Sequence, residues 1–230
     1  MASLSLGGDV LADVPLFAGL SEDERGALRA RMRRRRYPRG EVIFLRGDAG
    51  SHLYIVESGT VKIALSSAEG KEMILALLGR GDIFGEMTLL DDAPRSADAV
   101  ALEPCEVLLL EREDFIHFLA ERPRASLRLM AALSRRLRAT DELVQDAAFF
   151  DIPARLASVL LRLADTLGRP GRQGTAISRR LTQGELAGMI GATRESVNKW
   201  LRFYERQGLI ATERGYITVV RPEGLRQRMY

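Results

Sequence analysis

Hydrophobic and polar positions change their period along this chain, and each change marks a new kind of element. Between Tyr37 and Leu110 the apolar residues come in short runs rich in Val, Ile, Leu and Phe: Glu41–Arg46, His52–Glu57, Thr60–Ser66, Glu72–Leu78 and Cys105–Leu110. Glycine-bearing turns separate them, at Gly47–Gly50, Ser58-Gly59, Glu69-Gly70 and Gly79–Gly81. Evenly spaced short strands with such turns predict an antiparallel sandwich or barrel. Ahead of this region residues 1–12 read as loose. Val14–Gly19 with Ser21–Arg31 reads as a short helix, Ser21 and Glu24 standing at capping-box spacing. The run Arg33–Arg36 reads as a solvated face leading into a strand rather than as a nucleic-acid patch.

From Pro123 to about Ala148 the period becomes helical. Met130, Leu133, Leu137, Thr140, Val144 and Ala147 follow one another in alternating steps of three and four, the seam of a coiled coil. Arg128, Arg135, Arg136 and Arg138 lie off that seam, and Pro123 suits a first helical turn, where a missing N–H costs little. The pattern fits either one amphipathic helix packed on its own domain or a symmetric dimer helix joining two domains. The flanking segments decide between them.

Phe149-Phe150-Asp151 follows as a hinge, then a helix over Ile152–Leu167 with Leu156, Val159, Leu160 and Leu163 on its apolar face. Gly168–Gly174 reads as an exposed loop. Thr182-Gln183-Gly184-Glu185 is a capping box opening a helix through Met189. Gly191 makes a tight turn, and Thr193 caps a second helix from Arg194 to about Gln207, stopped by Gly208. Two helices joined by a short glycine-bearing turn form a helix-turn-helix. Leu209–Val220 adds two strand-like pieces around Glu213-Arg214-Gly215, a winged-helix hairpin whose tip can reach phosphates. The expected architecture is α+β, in three parts: a β-domain over 1–122, a helix and hinge over 123–150, and a winged helix-turn-helix over 151–230.

Composition adds one asymmetry. The 230 residues are 46% hydrophobic and 28% charged, ordinary for a globular chain of one large or two small domains. The net charge of +3 is unevenly placed. Residues 151–230 hold 14 basic and 7 acidic side chains, the first 150 hold 20 and 24. A basic last third behind an acidic remainder suggests a nucleic-acid module attached to something else. The N-terminus has no basic segment followed by an apolar core, and no window approaches the ~18 apolar residues of a membrane span. The expectation is a cytoplasmic protein without membrane contact. A lone Cys105 excludes an internal disulfide or a thiolate cluster, and His52 and His117 are too few for most histidine metal sites.

Two constellations carry chemistry. In Gly81-Asp82-Ile83-Phe84-Gly85-Glu86-Met87, followed by Arg95-Ser96-Ala97, Gly85 lets the backbone approach a ligand. Arg95 offers a charged fork for phosphate oxygens and Ser96 a hydroxyl donor. Glu86 cannot bind phosphate, but it can accept from a sugar hydroxyl. At the second helix of the helix-turn-helix, Arg194, Glu195, Ser196, Asn198 and Lys199 stand where base edges are read in the major groove. Arginine suits guanine O6 and N7, and glutamate accepts from cytosine N4.

With these residues in view, the chain resembles the cyclic-AMP receptor protein (catabolite activator) / fumarate-nitrate regulator family of bacterial transcription regulators. Residues 40–110 look like its cyclic-nucleotide-binding jelly roll. Glu69-Gly70-Lys71-Glu72-Met73-Ile74-Leu75 resembles the strand pair lining the nucleotide, Gly85-Glu86 with Arg95-Ser96 the phosphate cassette, and Arg135-Arg136-Leu137-Arg138-Ala139-Thr140 the dimer helix. The resemblance implies a ligand site of Leu75, Ala76, Gly85, Glu86, Met87, Arg95, Ser96, Thr140 and Asp141. In it Arg95 and Ser96 hold the cyclic phosphate, Glu86 the ribose 2′-hydroxyl, and Thr140 with the partner's next residue the base. It implies DNA contacts from Thr182, Thr193, Arg194, Glu195, Ser196, Asn198 and Lys199 on TGTGA-like half-sites, and a homodimer through 123–148. RNA polymerase is a further implied partner, near Gly168–Gly174. Asp141 and Ala76 each stand where enteric members have serine. Asp141 can accept from an adenine amino group or from guanine N1–H, so cyclic AMP leads, and cyclic GMP or a ligand-independent member stays open. Relatives that sense oxygen through an iron–sulfur cluster or carbon monoxide through haem are disfavoured by the single cysteine and scarce histidines; no metal is expected. No nucleophile–base pair, metal spacing or Walker loop points to an enzyme.

Overall fold

Charge does not keep Arg33–Arg36 out of a sheet. In the computed structural model, which describes residues 8–229, strand β1 runs Arg33–Tyr37 with all four arginines exposed and only Tyr37 buried. β1 is the edge strand of a four-stranded antiparallel sheet ordered β1-β8-β3-β6, where β3 is His52–Ser58, β6 Ile83–Phe84 and β8 Cys105–Glu111. A second four-stranded sheet is ordered β2-β7-β4-β5, with β2 Val42–Phe44, β4 Val61–Ser66, β5 Glu72–Leu78 and β7 Asp98–Ala101. The five strands expected from the hydrophobic runs are all present. β1, β6 and β7 are additional. β1 is charged, and β6 and β7 have only two and four residues, too few for an alternating pattern to show.

The chain divides into two compact units, residues 1–65 with 75–137, and residues 66–74 with 138–230. The first unit buries two apolar clusters. One gathers Leu53, Ile55, Leu108, Leu110, Phe115 and Leu129, and the other Tyr54, Val56, Phe84, Ala99 and Val107. Alternation along β8 divides its side chains between them, Leu108 and Leu110 on one face, Val107 and Leu109 on the other.

The expected N-terminal helix is broken. Helix α1 is Val10–Asp13, inside the stretch read as loose; a 3₁₀ turn covers Pro15–Phe17; and α2 is Glu22–Ala30. Pro15 and the extended backbone of Ala18 interrupt the run. The Ser21–Glu24 capping box is formed in both directions. The part of the loose stretch before Gly8 lies outside the described residues. Two helices follow the sheets' own elements: α3, Met87–Asp91, and α4, Arg112–Glu121.

Helix α5 spans Pro123–Phe149. One face, Ala125 and Leu129, is buried in the first cluster, and Leu133 packs half-buried against it. Leu133 therefore leaves the expected seam. The exposed stripe is instead Leu127, Met130, Leu137 and Val144, between 53% and 63% exposed, with Ser134 and Asp141 between them at steps of three and four. Two neighbouring stripes of one helix share this spacing, and the domain's own core claims the one holding Leu133.

In the second unit, α6 is Ile152–Leu167, α7 Gln183–Ile190 and α8 Arg194–Arg206. Leu156, Leu160, Leu186, Val197 and Tyr204 form its interior, each no more than 0% exposed at the surface. Gly168–Gly174 is not a loop. It holds β9, Gly168–Gly171, and the start of β10, Gly174–Ile177, in a sheet ordered β11-β12-β10-β9, with β11 Ile210–Glu213 and β12 Tyr216–Val219. A Gly-, Pro- and Arg-rich segment carries no apolar alternation, and main-chain pairing alone makes it a hairpin. A last helix, α9, is Pro222–Arg226.

Leu108 is fully buried in the first apolar cluster of the first unit. Leu108→Ala should lower the stability of that unit by roughly 2–5 kcal/mol, read from the midpoint of its urea unfolding transition.

Candidate ligand cassette and nucleic-acid interface

The segment after β6 turns sharply because Gly85 adopts φ +78°. A Cβ there would stand 2.5 Å from Arg95 Nη1, so the position also needs the missing side chain. The turn delivers Glu86 into the interior, 1% exposed, at the head of α3.

Arg95 arrives from the loop before β7 and is 4% exposed. Its Nη1 donates to Gly85 O at 2.6 Å and its Nη2 to His52 O at 3.0 Å. The guanidinium lies 4.4 Å over the Phe44 ring and 5.5 Å over that of Tyr54. Gly50 makes room for it, since a Cβ there would meet the guanidinium at 2.3 Å. Burial pulls the Arg95 pKa downward, while the nearby Tyr54 and Glu86 oppose that shift. A desolvated guanidinium among rings and carbonyls attracts an anion strongly.

Two buried polar atoms here lack a partner among the described residues: Arg95 Nε, a donor, and Glu86 Oε2, an acceptor. The other oxygen, Glu86 Oε1, accepts from Arg136 Nη1 on α5 at 2.6 Å, and Arg136 Nη2 donates to Ile83 O at 2.8 Å. An unpaired cationic donor beside an unpaired carboxylate oxygen suits a ligand that presents an anionic oxygen next to a hydroxyl. A cyclic nucleotide has that pair of groups, so the residues present fit it.

Ser96 is exposed, with its hydroxyl 3.7 Å from the Met87 sulfur. Gly85, Glu86, Met87, Arg95 and Ser96 are thus brought together. Ala76 packs on the cluster holding Tyr54 and Phe44, and Leu75 precedes it, half-buried, on β5. Thr140 and Asp141 are not part of this gathering within the first unit; they are exposed on α5, in the second. The sequence reading missed Gly50, Phe44 and Tyr54 as the seat of Arg95, and Arg136 as the partner of Glu86. Arg136 stood among basic residues off the seam, a position that signals solvent as readily as a buried acid.

The second constellation is set by caps. The Thr182 hydroxyl accepts from Glu185 N, and the Glu185 carboxylate accepts from Thr182 N, closing the expected box on α7. Gly191 ends α7 in the left-handed region, φ +63°. Thr193 caps α8 through Ser196 N and also donates to Ser196 Oγ. Val197, Leu201 and Tyr204 fix one face of α8 inward, and Arg194, Glu195 and Lys199 are exposed. Arg194 leans over Gly184, where a Cβ would stand 3.1 Å from its Nε. Asn198 Oδ1 accepts from Gln183 Nε2 at 3.1 Å. The first turn of α8 therefore offers a guanidinium and a carboxylate to the outside, with the half-buried Asn198 amide behind them, groups of the kind that read base edges.

Among the described residues no helix is long and apolar enough to cross a membrane. Residues 34–122 match the cyclic nucleotide-binding domain model, and residues 154–228 the Crp-like helix-turn-helix domain model. A CRP-like cAMP-activated global transcriptional regulator of Mycobacterium tuberculosis is 34% identical over 220 residues, 96% of this chain and 98% of that protein. The cyclic AMP receptor protein of Thermus thermophilus is 38% identical over 205 residues, 89% and 92% of the two chains. Among solved structures, a CooA mutant from Carboxydothermus hydrogenoformans superposes with a TM-score of 0.79 at 25% identity, covering 91% of this chain and 93% of its own. The Crp-like helix-turn-helix model and the Mycobacterium tuberculosis relative describe regulators of transcription rather than enzymes.

Arg136→Ala should leave the buried Glu86 carboxylate without its counter-charge and destabilise the first unit by at least about 2 kcal/mol. Glu86→Gln in the same background should recover part of that loss, measured by urea unfolding.

Proposed function

This chain belongs to the cyclic-AMP receptor protein family of transcription regulators, and on that premise we propose that it is a homodimeric regulator switched by cyclic AMP. The observation that carries the reading is the buried pair Arg95 and Glu86, each with one hydrogen-bonding atom unspent. In this reading Arg95 Nε and the Ser96 hydroxyl donate to the cyclic phosphate. Glu86 Oε2 accepts from the ribose 2′-hydroxyl. Met87, Leu75 and Ala76 line the sugar and base, and Thr140 faces the purine together with Asp141 of the partner subunit. Gly85 keeps the backbone close enough for these contacts.

Glu86 also holds Arg136, and Arg136 belongs to α5. Spending the second carboxylate oxygen on a ligand changes the field at Arg136, so occupancy is felt along the helix. The stripe Leu127, Met130, Leu137 and Val144 is the self-complementary surface on which two copies of α5 meet. Re-packing that seam sets the spacing of two α8 helices to successive major grooves, ~34 Å apart. A nucleotide shifts this equilibrium only by its differential affinity for the two states. Arg194 and Glu195, with Lys199, then read TGTGA-like half-sites, Ser196 and Asn198 adjoin them, and Thr182 and Thr193 hold the backbone near phosphates. The β9–β10 hairpin, with Arg169 and Arg172 exposed, is the surface proposed for RNA polymerase. We place the protein in the cytoplasm, where both partners are.

Asp141 favours one alternative. A carboxylate accepts two hydrogen bonds side by side, which suits guanine N1–H and its amino group, so cyclic GMP is the second reading.

Cyclic AMP at 100 times its Kd should stabilise the protein by ~2.7 kcal/mol, and Arg95→Leu should abolish this in a melting experiment. A larger shift with cyclic GMP would decide for the alternative, and no shift with either would mark a ligand-independent member. Leu137→Asp should give monomers by sedimentation and remove sequence-specific DNA binding. Arg194→Ala should cost ~1–3 kcal/mol at one base position while leaving the salt dependence nearly intact; a uniform loss over all sequences would make it a phosphate contact.

A further inference from the structure

Helix α8 has three sides, and the core and the proposed base-reading turn use two of them. The third carries Trp200 and Phe203, both half-buried, edge to face with ring centroids 5.4 Å apart. Together with Pro153 and Asp151 at the head of α6, they line a cavity of 360 Å³. That volume falls in the range that holds a small organic molecule.

The cavity is cationic as well as aromatic. Lys199 lies 5.6 Å over the Trp200 ring and Arg228 5.3 Å over that of Phe203, and Arg206 completes the rim. Among the described residues, no carboxylate pairs with any of the three. The one acid in the lining, Asp151, is engaged as the cap of α6, accepting from Ala154 N at 3.0 Å. Two aromatic faces and three cations against one committed carboxylate select a flat, negatively charged guest.

We propose that this cleft is a second ligand site, for a small planar aromatic carboxylate that stacks on Trp200, meets Phe203 edge to face and is held by Arg206 and Arg228. Lys199 belongs both to the cleft and to the proposed base-reading set, so occupancy draws its ammonium inward and opposes DNA binding. This last step rests on the reading of α8 given above; the site itself does not.

Trp200 is the only tryptophan of the chain, so its indole N–H gives a single resonance that reports the cleft. The full-length protein, ¹⁵N-labelled and without added nucleotide, is titrated with benzoate and with its neutral isostere benzamide. Benzoate should shift that resonance saturably and bind at least about tenfold tighter than benzamide. The double variant R206Q/R228Q, which keeps the aromatic walls, should bring benzoate down to the affinity of benzamide. An unsaturable shift, equal affinities for the two probes, or an unaltered double variant overturns the site. Tighter binding of a short acidic peptide bearing phenylalanine would make the cleft a protein-docking surface and also overturn it. In a second arm, anisotropy of a labelled duplex with paired TGTGA half-sites is followed at saturating cyclic AMP. Saturating benzoate should weaken DNA binding about threefold or more, and not at all in R206Q/R228Q. Saturable benzoate binding with unchanged DNA affinity overturns the coupling. The affinity of Lys199→Gln for DNA tests the base-reading assignment by itself.

Discussion

A carboxylate that is 1% exposed must have a counter-charge, and Glu86 has it in Arg136 at 2.6 Å. Removing a carboxylate from water costs several kcal/mol, and a well-aligned guanidinium offsets part of it. The pair joins α5 to the β-domain beside the apolar contacts of Ala125 and Leu129. It also makes the ligand cassette and the helix one electrostatic unit.

The same economy runs through Arg95. It spends two N–H groups on the carbonyls of Gly85 and His52, which hold it in place, and keeps Nε in reserve. The rings of Phe44 and Tyr54 keep water away from it. Two glycines, Gly50 and Gly85, are required because the guanidinium occupies the volume their side chains would fill. Preorganisation here consists of steric subtraction around one charged group.

Much of this was legible in the sequence. The capping boxes at Ser21 and Thr182, the Thr193 cap and the Gly191 turn are local devices whose chemistry lies within four residues, and each forms as read. The five apolar strands were equally plain. Features governed by distant partners were hidden. β1 is a strand because β8 offers it a ladder from Arg33 to Tyr37, not because four arginines prefer one. The β9–β10 hairpin exists because β12 pairs with β10. Leu133 and Leu137 look alike in a heptad, and only the first cluster distinguishes them. Arg136 was indistinguishable from Arg135 until Glu86, fifty residues earlier, was seen beside it.

The exposed arginines of β1 have a consequence for how the protein behaves at high concentration. An open sheet edge is a template on which another chain can add a strand, the first step toward fibrous aggregates. Here the edge bristles with guanidinium groups. Arg34 and Arg36 are anchored to Glu57 and Glu106, and Arg35 is laid over Tyr37. Any intruding strand would have to strip water from that row of like charges before gaining a hydrogen bond. The run of arginines thus serves as a gatekeeper of solubility, and the sheet ends where its charge begins.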